Sequence, residues 1–167
     1  AISLFADSGG TLWVGTTSGL NQYRNGKFTP QRTSNGPANE YVRSIYQDRD
    51  GYLWIGTRSG LTRIKANESK TFTEADGLPN DLITALYQGS SGALWIGSLG
   101  GLTKFQNEEF TTYTTKDGLS SDLISSIYED SDQTLWITTN GGGINRFKKG
   151  AFTAYTTKQG LIDDVIH

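Results

Sequence analysis

Asp48-Arg49-Asp50-Gly51-Tyr52-Leu53-Trp54-Ile55-Gly56-Thr57-Arg58-Ser59-Gly60-Leu61 is the stretch whose reading decides the fold. It sets a short apolar strand between two turn signals, and the whole phrase returns along the chain. Asp7–Leu20 reads DSGGTLWVGTTSGL, Gly89–Leu102 reads GSSGALWIGSLGGL, and Asp130–Ile144 reads DSDQTLWITTNGGGI. Trp13, Trp54, Trp95 and Trp136 stand 41 residues apart at each step, and an extra Gly before Ile144 stretches the fourth unit to 42. A repeat of about 40 residues with four short strand patterns per unit marks a β-propeller blade.

The second unit shows the four patterns. They are Val42–Asp48, Tyr52–Thr57 and Leu61–Ile64, followed after a loop by a fourth strand around Lys70–Glu74. No stretch keeps a 3.6-residue apolar period, so helices are not expected. Val42, Ser44 and Tyr46 alternate with Arg43, Ile45 and Gln47, which puts apolar or small side chains on both faces, as in a strand held between two blades. Burying one indole removes roughly 150–250 Å² from water, or roughly 4–6 kcal/mol gross. The tryptophans are therefore the expected blade anchors. Phe28, Phe110 and Phe152 share a place in the last strand that Ser69 takes in unit two, the variability of an outermost strand.

The fold class expected is all-β: one β-propeller region over 1–167, with blades at about 1–41, 42–82, 83–123 and 124–165, each of four antiparallel strands. Ile166-His167 repeats the place of Ala1-Ile2. The four blades close alone, two chains join head to tail as an eight-bladed dimeric ring, or the chain is a slice of a larger propeller. The last two rank first, because bare blade faces are apolar.

Composition narrows the function. With 167 residues and no Cys, a disulfide framework and a thiolate metal site are excluded. A net charge of −2 without a basic run speaks against nucleic acid. Apolar runs of a few residues do not insert in a membrane. The lack of Met favours a fragment. His167 is the single imidazole, so neither a Ser-His-Asp arrangement nor a multi-histidine metal site can be built. Asp48-Arg49-Asp50-Gly51 lacks the later ligands of a calcium loop, and Asp7, Asp48 and Asp130 read as turn residues. No metal or cofactor is expected.

The phrases quoted above, together with Asp76-Gly77-Leu78 and Asp117-Gly118-Leu119, resemble the two-component regulator propeller repeat. The resemblance implies a sensor region of a bacterial hybrid histidine kinase: periplasmic or extracellular, non-enzymatic and typically responsive to glycans. Gly89 and Gln133 depart from the turn pattern, and Thr138 replaces the Gly after Trp-Ile.

Candidate ligand contacts lie in the loops. Glu40, Asp81, Asp122 and Asp164 hold equivalent positions, preceded by Asn39, Asn80, Ser121 and Asp163. In a closed ring they would form an acidic crown, where two charges about 8 Å apart repel by roughly 2 kcal/mol at an effective dielectric of 20. The carboxylates either bind a ligand or satisfy backbone donors of their own loops. Arg43, Arg58, Asn140 and Tyr41 break the repeat near the same face, and with the acids they are the candidate contacts for a carbohydrate or other small polar ligand. Two other functions compete: a self-assembling, homo-oligomeric propeller fragment without a small-molecule site, and a propeller lyase or hydrolase using the loop carboxylates.

Overall fold

The computed structural model describes residues 2–31, 40–66 and 68–166. Ala1, Asn39 and His167, named above, lie outside them. Four four-stranded antiparallel sheets follow one another along the chain. The first comprises β1 (Ser3–Ala6), β2 (Leu12–Thr16), β3 (Gly19–Arg24) and β4 (Lys27–Gln31). The second comprises β5 (Ser44–Gln47), β6 (Leu53–Gly56), β7 (Leu61–Lys65) and β8 (Glu68–Phe72). The third runs through β9 (Ile83–Gln88), β10 (Leu94–Ser98), β11 (Gly101–Gln106) and β12 (Glu109–Tyr113). The fourth holds β13 (Ile124–Glu129), β14 (Leu135–Thr139), β15 (Gly143–Lys148) and β16 (Ala151–Tyr155). The architecture is the expected all-β one, with four blades of four strands. Among the described residues no helix is long and apolar enough to cross a membrane.

Two details differ from the sequence reading. Strand β8 starts two residues before Lys70, because Ser69 pairs with Ile64 and Glu68 with Lys65. Among the described residues three short 3₁₀ turns also occur, at Glu74–Asp76, Thr115–Asp117 and Thr157–Gln159. Thr73, Thr114 and Thr156 cap them, with Asp76, Asp117 and Gln159 reaching back in a capping box. A single turn is too short to show a helical period, so the pattern of apolar residues was silent about it.

The chain divides into two compact units, residues 1–77 with 81–83, and residues 78–80 with 84–167. In the first unit β5 packs against β1 and β2. Leu20, with Phe5 and Trp13 beside it, meets Val42, Ile45, Leu53 and Ile55 in one apolar cluster. In the second unit Trp95, Leu102 and Leu119 meet Ile124, Ile127, Leu135 and Ile137. The face of a sheet carrying the tryptophan is its back and the opposite face its front; within each unit the back of the first sheet is turned to the second.

The Gly after Trp-Ile makes the close approach feasible. A Cβ on Gly15 would lie 2.7 Å from Val42 Cγ1, on Gly56 2.6 Å from Ile83 Cγ2, and on Gly97 2.6 Å from Ile124 Cγ2. Any larger residue would force the incoming strand away. Thr138 takes this place in the fourth sheet, and its hydroxyl is buried without a hydrogen-bond partner. There the bond from Ile166 N–H to Thr139 O is 3.4 Å long, against 3.0 Å for Val42 N–H to Thr16 O and 2.9 Å for Ile83 N–H to Thr57 O.

Candidate functional site

The turn aspartates close their hairpins and also hold the indoles. Asp7 accepts from Gly9 N–H and Thr11 N–H through Oδ1 and from Trp13 Nε1 through Oδ2 at 2.8 Å. Asp48 accepts from Tyr52 N–H and, at 2.7 Å, from Trp54 Nε1. Asp130 accepts from Asp132 N–H, Thr134 N–H and Trp136 Nε1. Burial alone would raise the Asp7 pKa, but the bonds from Thr11, Trp13 and Gly9 outweigh it and hold the carboxyl below its ordinary 3.8. The Trp136 indole, then Thr134 N–H, hold Asp130 below that value as well. These acids are structural, and the reading of Asp7, Asp48 and Asp130 as turn residues matches their geometry.

The third sheet lacks the aspartate. At Gly89 a Cβ would lie 2.6 Å from Glu129 Oε2 and 3.3 Å from Trp95 Nε1. Glu129, from β13 of the following sheet, accepts from Ser90 N–H at 2.8 Å. The neighbouring blade thus supplies a carboxylate to this turn, where it takes the Ser90 N–H.

The loop acids are equally committed. Asp81 Oδ1 accepts from Glu74 N–H at 2.7 Å, Asp122 Oδ1 from Thr115 N–H at 2.7 Å, and Asp164 Oδ1 from Thr157 N–H at 2.6 Å. Each carboxylate therefore staples the 3₁₀ turn of its own loop. Asn140 is exposed and acts through its backbone, donating to Leu123 O and accepting from Ser121 Oγ.

Glu40, Tyr41, Arg43 and Arg58 come together in the first unit. The Arg58 guanidinium lies over the Tyr41 ring, with Cζ 3.9 Å from its centroid, and Arg43 Cζ is 5.8 Å away. Ser59 Oγ donates to Glu40 Oε2 at 2.7 Å. Arg58 and Glu40 are exposed, while Tyr41 and Arg43 are half-buried. The equivalents of Arg58 are Thr17, Leu99 and Asn140, so this arrangement belongs to one blade and is not a consequence of the repeat. A guanidinium stacked on an aromatic face is oriented in advance, with its N–H fork open to oxygen acceptors. Ser59 was the member that sequence reasoning did not single out, and its presence in the Arg-Ser-Gly turn was the available signal.

Fold and site together define a β-propeller chain built of tryptophan-anchored blades. The model of the two component regulator propeller family matches residues 35–59, 77–100 and 118–141. The chain therefore carries repeats of that family. Among solved structures, the extracellular domain of BT3049 from B. thetaiotaomicron, described as a hybrid two component system, is similar at 27% identity with a TM-score of 0.81. The match covers 95% of this chain and 23% of that one. The extracellular domain of BT4673 from the same organism is similar at 21% identity with a TM-score of 0.79, over 95% of this chain and 25% of that one. Virginiamycin B lyase from Staphylococcus aureus, 21% identical with a TM-score of 0.72 over 91% of this chain and 54% of that one, shares the fold alone. The chain spans about a quarter of the length of the two extracellular domains. A search of curated proteins found no match.

Proposed function

We propose that this chain is part of the periplasmic or extracellular propeller of a bacterial signalling receptor, where it reads a ligand without chemical turnover. Its contact residues are Tyr41, Arg43, Arg58 and Glu40, and the ligand is a carbohydrate or another small polar molecule. One observation carries the reading: the Tyr41–Arg58 stack stands on loops where the other blades hold unrelated residues. Structural repetition explains Asp81, Asp122 and Asp164, each bonded within its loop, but it does not explain two guanidiniums on one ring. The likeness to extracellular domains of two component systems supports a receptor context.

The test is calorimetry of the purified chain against a panel of neutral and acidic oligosaccharides. Binding is expected for at least one of them, and Arg58→Ala is expected to weaken it about tenfold, equivalent to about 1.4 kcal/mol. Arg58 is exposed, so the variant should keep the parent's melting temperature. Turnover of a saccharide, or binding that Arg58→Ala leaves unchanged, overturns the proposal.

A further inference from the structure

The turn and the loop that carry Arg58 and Tyr41 are pinned by the fold itself. Thr57, fully buried, donates to Gly60 O through its N–H and its Oγ1 at 3.1 Å each, and its Oγ1 accepts from Ser59 N–H at 3.1 Å. Val42, also fully buried, donates to Thr16 O at 3.0 Å, and Arg43 N–H donates to Gly56 O at 2.8 Å. The backbone on both sides of the Tyr41–Arg58 stack is therefore fixed, and a ligand meets little further ordering cost there.

The charge at this place is positive in excess. Among the described residues neither the Arg43 nor the Arg58 guanidinium has a hydrogen-bonded or ion-paired acceptor; both are engaged through the Tyr41 ring. The acids of the adjoining loops are engaged by other donors. Glu40 Oε2 takes Ser59 Oγ, and Asp81 Oδ1 takes Glu74 N–H, each at 2.7 Å. The counterparts of Arg43 are Ile2, Thr84 and Ser125, and those of Tyr41 are Leu82, Leu123 and Val165. A pair of cations at one aromatic ring is thus a property of the second blade.

Two like charges gathered at one ring repel, and partial burial keeps solvent from screening them fully. An anion beside them converts that repulsion into attraction, which a neutral hydroxyl does not. The guanidinium fork also matches the spacing of two oxygens on a carboxylate or a sulfate. We propose that the molecule read here is a saccharide bearing an acid group, whose oxygens take the N–H fork of Arg58 beside the charge of Arg43. Glu40 Oε1, which takes no hydrogen bond among the described residues, accepts from a hydroxyl of the same sugar. This deepens the receptor reading and rests on it.

Matched probes that differ only in charge test it: an oligogalacturonate against its methyl ester, and a sulfated dextran oligosaccharide against its unsulfated parent. Calorimetry of the purified chain is expected to show the acid member of at least one pair bound about tenfold or more tightly than its neutral partner, with the gap shrinking as salt rises. The pair that shows the gap distinguishes carboxylate from sulfate. Arg58→Gln and Arg43→Gln each remove one charge and are expected to narrow the gap, while Arg58→Lys keeps its salt dependence and loses affinity with the fork. Arg58 is exposed, so its variants carry the test should Arg43→Gln fail to fold. A neutral probe bound as tightly as its acid, and weakened by Arg58→Gln, overturns the acid group and leaves the receptor reading standing. An acid preference that Arg58→Gln retains also overturns the proposal. Absence of binding by every saccharide overturns both readings together.

Discussion

The backs of the third and fourth sheets are made of the same residue types and meet different fates. On the third, Trp95 is 7% exposed and Leu102 and Leu119 are buried. On the fourth, Trp136, Ile144 and Leu161 are only half-buried and Tyr128 stands in solvent, although Tyr87, its counterpart, lies 6.3 Å from it and is half-buried. Blade sequence therefore specifies two apolar faces, and burial comes only with a neighbour. Of the hydrophobic stabilisation latent in the repeat, the fourth back face realises a part.

The largest expected effect separates the two indoles directly. Trp95→Ala should destabilise the folded chain by about 3–5 kcal/mol, since it empties the junction between third and fourth sheets. Trp136→Ala should cost about 1–2 kcal/mol in dilute solution, because less area returns to water. Urea unfolding of both variants at low protein concentration measures the difference. If the two costs are equal there, the fourth back face is covered in solution and the comparison fails. If Trp136→Ala becomes more costly only as protein concentration rises, the comparison is sharpened, because burial of the fourth back face then depends on a neighbour.

A smaller effect distinguishes how the two indoles are held. Trp136 is clamped by Asp130 from its own turn, whereas the turn beside Trp95 has Gly89 in that place and is held through Ser90 N–H by Glu129 of the neighbouring blade. Glu129→Ala removes the acceptor of Ser90 N–H and should cost about 1 kcal/mol. Gly89→Asp restores the family's turn residue but drives its side chain into Glu129, so alone it should also destabilise. Combined, the two changes should cost less than their sum, with a coupling energy of about 1 kcal/mol or more. Additive costs would show that Glu129 does not stand in for the missing aspartate.

The sequence carried the fold because one large side chain at a fixed interval leaves little freedom: four tryptophans in one phrase demand one packing role four times. The Asp-to-indole bonds were harder to read. Asp130 and Trp136 are six residues apart across a hairpin, and only the folded turn brings the carboxylate to the indole. Glu129 was beyond reach, since it serves Ser90 from the adjacent blade and no local pattern announces it. The stapling of the loop acids was half-legible. Thr-Thr-Lys-Asp-Gly-Leu at Thr114–Leu119 spells a capping box, yet a periodicity search passes over a single turn. The Tyr41–Arg58 cluster was legible as broken symmetry, while its stacking required coordinates.

The smallest effect is electrostatic. Asp130, held below its ordinary pKa by the Trp136 indole and then by Thr134 N–H, favours the folded state while it is charged. The unfolded chain takes up this proton at the ordinary carboxylate value, so the contribution is fully present above about pH 4 and fades as pH falls through the lower folded value. Asp130→Asn keeps a neutral acceptor and removes the charge. The stability gap between parent and variant should therefore be widest at neutral pH and narrow as pH drops below the usual carboxylate range. A gap for Asp130→Asn that stays constant from pH 7 to acid would mean that the clamp draws on shape alone, and the distinction between the two indoles would then rest on burial.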